Sequence, residues 1–568
     1  MKHGMLAAVA LLLAAPPGFA APSRDMAGMA MPPMQLPPMP ALYGGQADKP
    51  GAPVFKGLGD HHHAIATHNA QTQALFDQGV RLLFGFNHAE AIRSFREAAR
   101  LDPECAMCWW GIAFALGPNI NLPMQSDASA PALAALAKAR ALEPHASAEE
   151  REWIEALATR YSDDPKAERK TLDEAFAQAM GKLWHAHPDD LDAGTFYAEA
   201  MMDTQPWEYW EPDGVTPKGH AQEIVATLEG IIKRQPDHPG ALHLYIHAVE
   251  GSSTPERAEA AADRLESLMP EAGHIVHMPS HIYYRVGRYA DAVQVNERAA
   301  KTDEDYIAAC KAQGFYPLAY YAHNIHFLWT SSEMMGRYQA SIDAARRVVK
   351  AAKDGPAADV PPIQLFLFTP IATYIRFGKW NDALAEPLPA ANLKLATVMT
   401  LYARGIAFAN TNQLDKARDA RMQIQAMLDA RDFTSIDDFG TPATRMAEIG
   451  LALLDGELAR VSGQLRGALI FFRKAKRIEE TLPYTEPPYW HQPVSHILGA
   501  ALLEAQLPHE AEIIYRTSLK SYRVDGWALF GLAQALDAQG MTAEADAVRA
   551  DFRKAWSLAD TKLSASRF

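Results

Sequence analysis

The feature that most constrains the fold is a recurring pair of helical segments joined by a short turn and closed by a proline. In the first pair, Gly79 and Leu82 lie in one segment, Ala91 and Phe95 lie in the next, and Pro103 ends the unit. Small and large apolar residues at these spacings share one helical face. A chain of 568 residues is too long for one compact core, and no long strand-like alternation interrupts the helical pattern. The sequence therefore predicts an all-α solenoid.

Two consecutive units recur at a regular period. Pro236 and Pro270 are 34 residues apart and follow matching apolar positions. Gly79 with Leu82, Ala91 with Phe95 and the closing Pro103 resemble the tetratricopeptide repeat family, whose signature is G-x-x-Y, then A-x-x-x-F, then a proline within a 34-residue period. The resemblance extends over about residues 72–556 and implies a superhelix of helix hairpins, whose first helices line an inner groove. It also implies a protein or peptide partner in the groove, although the fold by itself says little about function.

Four segments follow from this reading. Residues 1–20 have a basic start, an apolar run and small residues at the end, which is typical of a signal peptide and predicts export to a periplasm or secretion. Residues 21–71 form a segment rich in Met, Pro and His. Residues 72–390 form an N-terminal repeat array with a histidine-lined groove, and residues 391–568 form a C-terminal array of similar type. No later run approaches the roughly 20 apolar residues that a membrane-spanning helix needs.

The charge of the chain argues against one class of partner. Its formal net charge is -14, and it has no run of basic residues. A polyanion is attracted by clustered Lys and Arg, so we expect no nucleic acid partner.

The segment before the repeats carries soft and borderline metal ligands. Its dense prolines predict an extended or disordered chain, and its thioethers suit Cu(I), although a plain spacer is the alternative. These methionines are Met26, Met29, Met31, Met34 and Met39. A histidine run follows, and a loop could present two of its three imidazoles, His61, His62 and His63, to a metal as weaker candidate ligands.

Histidines also recur in the first helices of three consecutive units. The resemblance implies that the second, fifth and ninth positions of a first helix face the groove. The histidines at these positions are His243, His247, His274, His277, His281, His323 and His326. His496 takes a fifth position in a later unit and is a weaker candidate. Pro279 removes a backbone donor within one of these helices, which favours a start near Val276 and places His274 in the entry turn.

A row of imidazoles on one face predicts a transition-metal site, because His is a preferred ligand of copper, zinc and iron. Together with the export signal and the Met-rich segment, all-imidazole ligation favours copper over zinc or iron, with oxidoreductase chemistry as its extension. Two alternatives stay open. One is a metal-free scaffold with a polar peptide-binding groove. The other is a metal-dependent hydrolase in which Glu199 or Glu250 acts as the base.

The three cysteines suggest one covalent link. Cys105 and Cys108 form a CxxC pair at the junction of the first two units, while Cys310 lies far along the chain. In an exported protein without a thioredoxin-like strand pattern, we expect the pair to form a structural disulfide rather than to bind a metal. Cys310 is expected to stay a thiol.

Overall fold

The computed structural model describes residues 36–353 and 355–568. The expected signal peptide and four of the five methionines, Met26 to Met34, lie outside these ranges. Within them every regular element is helical, and the strand-type pairing consists of two isolated bridges, Asn119 with Leu122 and Trp210 with Pro217. The all-α prediction is confirmed.

The α-helices follow one another along the chain with short connections. They are α1 Ala70–Phe84, α2 His88–Leu101, α3 Ala106–Ala115, α4 Ser129–Ala141, α5 Ala148–Ala158, α6 Arg169–Ala186, α7 Leu191–Asp203, α8 Ala221–Arg234, α9 Pro239–Glu250, α10 Glu259–Leu265, α11 Gly273–His277, α12 Pro279–Val286, α13 Tyr289–Cys310, α14 Ala322–Met334, α15 Tyr338–Ala352, α16 Gln364–Leu367, α17 Thr369–Arg376, α18 Trp380–Ala385, α19 Lys394–Asn410, α20 Leu414–Asp429, α21 Thr434–Asp438, α22 Ala443–Val461, α23 Leu465–Glu479, α24 Val494–Glu504, α25 Pro508–Ser521, α26 Gly526–Ala538 and α27 Thr542–Ala555.

Consecutive helices pack as hairpins, and each hairpin packs on the next. In the first unit, an aromatic ring of the second helix packs on two glycines. One glycine lies in the first helix of the same unit, and the other lies in the first helix of the next unit. The ring of Phe95 in α2 is fully buried and lies against Gly79 of α1 and Gly111 of α3. Near the other end of the array, Tyr515 contacts Gly499 and Gly531 in the same way. The same contact, an aromatic ring of a second helix packed on glycines of the two adjacent first helices, therefore recurs along the array.

Replacing Gly111 with Ala should destabilise the protein by about 1–3 kcal/mol, because an added methyl group overpacks a filled core. A Cβ atom at Gly111 would lie 2.7 Å from the ring of Phe95. The matched control is Gly230→Ala in the interior of α8, where an added Cβ meets nothing within 4 Å. The control should be neutral or stabilising, since Ala loses less backbone freedom in a helix. Chemical unfolding of the two variants compares them, and equal losses would contradict the packing argument.

The helix that carries His274, His277 and His281 differs from the predicted one. It is broken into α11 and α12 at Met278, and Pro279 occupies the first position of α12, where its missing N–H is not needed. His274 therefore lies in α11 and not in an entry turn. The break keeps His277 and His281 one turn apart while allowing His274 to approach α9.

Residues 36–69, here called the strap, precede α1 and run across several distant helices. Apart from a 3₁₀ turn at Ala41–Tyr43, the strap has no helix. The amine of Lys49 donates to the carbonyl of Cys310 at 3.1 Å, and the amide of Glu271 donates to the carbonyl of Gly57 at 2.8 Å. Met39, the fifth methionine of the segment, is buried. The strap is therefore held against the array by contacts with helices that are distant in the sequence.

The buried apolar side chains form two large clusters that meet around α12 to α14. One cluster includes Tyr283 and Tyr320, while the other includes Tyr284 and Ala322. The helices α12 and α14, which carry His281, His323 and His326, therefore lie at this junction. Across the described ranges, no helix combines the length and the apolar character that crossing a membrane requires.

Candidate metal centre

Six of the seven groove histidines converge in two groups of three. Triad A consists of His243, His247 and His274, and triad B consists of His277, His281 and His323. In each triad, one nitrogen from every ring lies within 4.8 Å of the others. His243 and His247 are one turn apart on α9, and α11, α12 and α14 supply the remaining rings. Ring centroids in the two triads approach to 5.3 Å between His247 and His281, so the triads are neighbours.

Hydrogen bonds fix which nitrogen of these rings carries the proton. The Nδ1–H of His243 donates to the carbonyl of Phe84 at 2.6 Å. The Nδ1–H groups of His247 and His281 donate to the two carboxylate oxygens of Glu250, at 2.7 and 2.6 Å. A carbonyl and a carboxylate only accept, so the Nδ1 atom of each ring is the donor and its Nε2 atom keeps a lone pair.

The fourth ring is oriented by an asparagine on α13. His277 Nδ1 lies 2.6 Å from Asn296 Oδ1, and Asn296 Nδ2 donates to the carbonyl of Ala292 at 2.7 Å. The second bond identifies the amide nitrogen of Asn296, which leaves its oxygen facing His277. The Nδ1 atom of His277 is therefore also the donor, and its Nε2 atom also keeps a lone pair.

In the neutral form of these rings, the Nε2 atoms face one another as acceptors. His277 Nε2 and His281 Nε2 are 2.9 Å apart, although both are acceptors in the tautomers just assigned. The Nε2 atoms of His243 and His247, and both ring nitrogens of His274, are buried without a hydrogen-bond partner among the described residues. Two lone pairs at this separation repel unless a cation lies between them.

Burial disfavours the charged form of four of these rings. It lowers the pKa of His243, His274, His277 and His323 well below the usual 6.5, and the neighbouring imidazoles lower it further. Burial alone would raise the pKa of Glu250, but His281 and His247 outweigh it and lower this pKa to about 2. The site therefore combines four imidazoles that burial holds toward the neutral form with one ionised carboxylate, Glu250, that orients a ring from each triad.

The surroundings are mostly aromatic. The ring of Tyr320 lies 4.6 Å from His274, and the ring of Phe327 lies 4.6 Å from His281. Trp207 meets His247 edge-on at 5.1 Å. His323 is only partly buried and gives triad B its most accessible side.

Two other expected ligands lie elsewhere. His326 stacks on Trp329, with ring centroids 5.1 Å apart, and burial lowers its pKa to about 3. His496 lies on α24, and its Nε2 atom is 2.5 Å from Asp525 Oδ2. Neither belongs to the two triads.

The histidine run of the strap forms a separate cluster around Asp192 of α7. His61 Nε2 and His63 Nδ1 lie 3.0 and 2.7 Å from the two oxygens of that carboxylate. His62 instead points outward and pairs with Asp77 at 2.8 Å. Burial would lower the pKa of His63, but the hydrogen bond to Asp192 and nearby carboxylates outweigh it and raise this pKa to about 9.

The cysteine pair lies apart from both clusters. Cys105 and Cys108 are joined by a disulfide at the N-terminus of α3, where the Cys105 sulfur also accepts from the amide of Cys108. Cys310 is a half-buried free thiol at the end of α13, and burial raises its pKa to about 11.

The sequence patterns missed the groups that orient the imidazoles. The carbonyl of Phe84 and the amide of Asn296 come from other helices, and periodicity along one helix contains no signal for them. The sequence patterns likewise missed Asp192, at the centre of the strap cluster, and His238, which bonds to it. A polar residue at the start of a helix is ordinarily a cap, and Asp190 and His238 do cap α7 and α9.

Comparisons with known proteins add little to this geometry. No family model matches the sequence, and no curated protein matches it. Among solved structures, the human IFIT1 dimer with m7Gppp-AAAA is 13% identical, with a TM-score of 0.32, and the match covers 86% of this chain and 90% of that one. A monomeric IFIT1 mutant with Gppp-AAAA is 12% identical, with a TM-score of 0.30, and the match covers 85% and 90%. A likeness at this level assigns neither a family nor a ligand to this chain.

Proposed function

We propose that the protein binds transition-metal ions between the paired histidine triads, with copper as the favoured metal. The observation that carries the proposal is the set of Nε2 lone pairs facing one another in a buried space. The 2.9 Å approach of His277 Nε2 to His281 Nε2 is the closest of these contacts. A metal ion converts that repulsion into two coordinate bonds.

The ligand set supports copper. Imidazole nitrogens suit Cu, Zn and Fe, and Cu(II) binds such sites most tightly among the divalent first-row ions. Two triads side by side offer room for about two ions, one for each triad. A redox-active metal in this position would give the protein oxidoreductase capacity, and Glu250 would hold one ring of each triad in place by its hydrogen bonds to His247 and His281.

The alternatives fit the geometry less well. A hydrolase needs a carboxylate free to accept a proton, whereas both oxygens of Glu250 already accept from histidines. Glu199, the other expected base, belongs to none of the groups of described side chains whose donor atoms are close enough to share a metal ion. An array of helix hairpins is a common interaction scaffold, but the triad histidines other than His323 are buried and offer a peptide little surface.

Elemental analysis of the full chain, purified without a His tag, tests the proposal. We expect about two equivalents of bound metal per chain, one for each triad. A visible absorption band would accompany copper, and a colourless protein containing zinc would redirect attention to hydrolysis. Failure to retain copper, zinc or iron after reconstitution would overturn the proposal and favour the scaffold.

Metal retention should change little between about pH 7.5 and 5.5, unlike that of an ordinary histidine site. Burial lowers the pKa of His243, His274, His277 and His323, so these rings stay neutral throughout this window. An imidazole with the usual pKa near 6.5 would lose about tenfold of its neutral form on reaching about pH 5.5. Equilibrium dialysis at a fixed free metal concentration measures retention, and a steep loss below about pH 6.5 would contradict the buried tautomers.

A further inference from the structure

Three tyrosines form a continuous row of rings that leads away from triad A. The ring centroids of Tyr306 and Tyr316 lie 5.5 Å apart, and those of Tyr316 and Tyr320 lie 5.4 Å apart. The ring of Tyr320 in turn lies 4.6 Å from that of His274, whose two ring nitrogens have no hydrogen-bond partner in the described part of the chain. These separations are typical of aromatic rings in direct contact. The row therefore connects one member of triad A with the C-terminal end of α13.

We propose that this tyrosine row carries single electrons from the protein surface to a metal ion in triad A, where they reduce hydrogen peroxide. The inference rests on the metal binding proposed above. A metal centre supplies the chemistry of the peroxide, and the protein supplies the path for the electrons. Tyrosine suits such a path because its phenol can lose one electron together with its hydroxyl proton and later recover both.

Carboxylates lie where the phenol protons would go. The hydroxyl of Tyr316 donates to Asp303 Oδ1 at 3.0 Å and accepts from the amide of His274 at 3.3 Å. The hydroxyl of Tyr306 donates to Glu90 Oε2 at 3.3 Å. A phenol that passes its proton to a neighbouring carboxylate on oxidation leaves no uncompensated positive charge in a buried place, where such a charge is costly. The hydrogen bonds therefore favour one-electron oxidation of these two rings.

The row is buried along its length and reaches the surface at one end. Tyr306, Tyr316 and Tyr320 are each at most 9% exposed. Burial raises the pKa of all three phenols above the usual 10, so the rings hold their protons until they are oxidised. Cys310, which is half-buried, lies one helical turn beyond Tyr306 on α13. A reductant in solution therefore meets the row at the Tyr306 end.

A small cavity beside the row indicates the size of the oxidant. It has a volume of about 20 Å³, and its lining includes Phe86, Tyr316 and Tyr320. A space of this size holds about one water-sized molecule. The ring of Phe86 also lies 5.5 Å from that of His274, so the cavity is next to triad A. Hydrogen peroxide is little larger than water, and the cavity therefore favours it over organic hydroperoxides.

Electrons and protons balance for the reduction of one peroxide. The O–O bond of hydrogen peroxide breaks, and the uptake of two electrons and two protons yields two molecules of water. Two phenols of the row supply them, and each becomes a neutral tyrosyl radical by losing one electron and one proton. A hydrogen-atom donor of the ascorbate class then restores each phenol from the surface. The metal ion passes the electrons on and ends in its starting oxidation state.

Electron paramagnetic resonance of the copper-loaded full-length chain, frozen at set times after mixing with hydrogen peroxide and ascorbate, tests the path. The test variant Tyr316→Phe keeps the ring but removes the oxidisable hydroxyl. The matched control, Tyr402→Phe, makes the same change at a buried tyrosine of α19 in the other apolar cluster. We expect Tyr316→Phe to slow the quenching of the tyrosyl radical by ascorbate more than about tenfold, and Tyr402→Phe to match the wild type.

The metal content of the same samples separates this inference from the proposed function. Bound copper with equal quenching rates in Tyr316→Phe and Tyr402→Phe would overturn the path and leave the metal site standing. Bound copper without any tyrosyl radical in the wild type would do the same. A wild-type chain that retains no metal would overturn the proposed function and the path together. Circular dichroism checks the folding of each variant, and Tyr306→Phe, which should also slow the quenching, replaces Tyr316→Phe if that variant folds poorly.

Discussion

Replacing His247 and His281 together with alanine is expected to weaken metal binding by more than about 100-fold, because the pair supplies one ligand to each triad. The same change removes both partners of Glu250, which bonds to one ring from each triad. Elemental analysis after dialysis against a chelator measures the loss. We expect both ions to be lost, whereas a change confined to one triad would spare about one.

Two further variants test whether metal is lost for another reason, such as the removal of any buried histidine or misfolding. His326→Ala removes a buried histidine of α14 that lies outside the triads, and it should keep its metal. His247→Gln/His281→Gln replaces the two ligands with amides that can still donate to Glu250, so it should fold and yet bind metal poorly. Wild-type metal content in the glutamine variant would show that the triads are not the site.

Arg160→Met should lower the free energy of unfolding by about 3–5 kcal/mol, because it leaves one member of a buried ion pair behind. Arg160 is fully buried, and its guanidinium donates to Asp203 at 2.6 Å and to the carbonyl of Pro118 at 2.7 Å. It also lies 4.8 Å from the ring centre of Phe176. Burial raises the pKa of Asp203 and Arg160 opposes that effect, so losing Arg160 leaves the carboxyl group without its main partner.

Chemical unfolding measures this loss, with Arg100→Met as the control. Arg100 pairs with Glu97 on the surface of α2, where water and salt screen the charges. Its replacement should change stability little. Similar unfolding midpoints for the two variants would mean that the buried contacts of Arg160 do not stabilise the fold more than the surface contacts of Arg100 do.

The sequence predicted the fold better than the site because helical periodicity is a local property. Turn and proline spacing located the hairpins, and the row of His274, His277 and His281 placed three ligands on one face. The same periodicity assigned His326 to the groove, yet it lies three residues beyond His323 on α14 and packs on Trp329. A shift of three residues turns a side chain by about 60° from its neighbour, enough to face the next unit.

The contacts of Glu250 illustrate what helical periodicity does not predict. The sequence makes it, with Glu199, a candidate base for a metal-dependent hydrolase. Its actual role depends on a ring from α12, contributed 31 residues later, which occupies its second oxygen. The packing of one hairpin on another sets a contact of this kind. The spacing of residues along one helix does not predict that packing.

The strap contacts have a consequence for the order in which the protein assembles. Lys49 meets the carbonyl of Cys310 and Lys56 meets Glu271, residues separated along the chain by 261 and 215 positions. Such distant partners come together only once the intervening hairpins have stacked, since local contacts form faster and distant closure costs more entropy. The earliest part of the described chain is therefore among the last to find its place. In that order of assembly, the strap covers α7 and its Asp192 only after the hairpins have stacked.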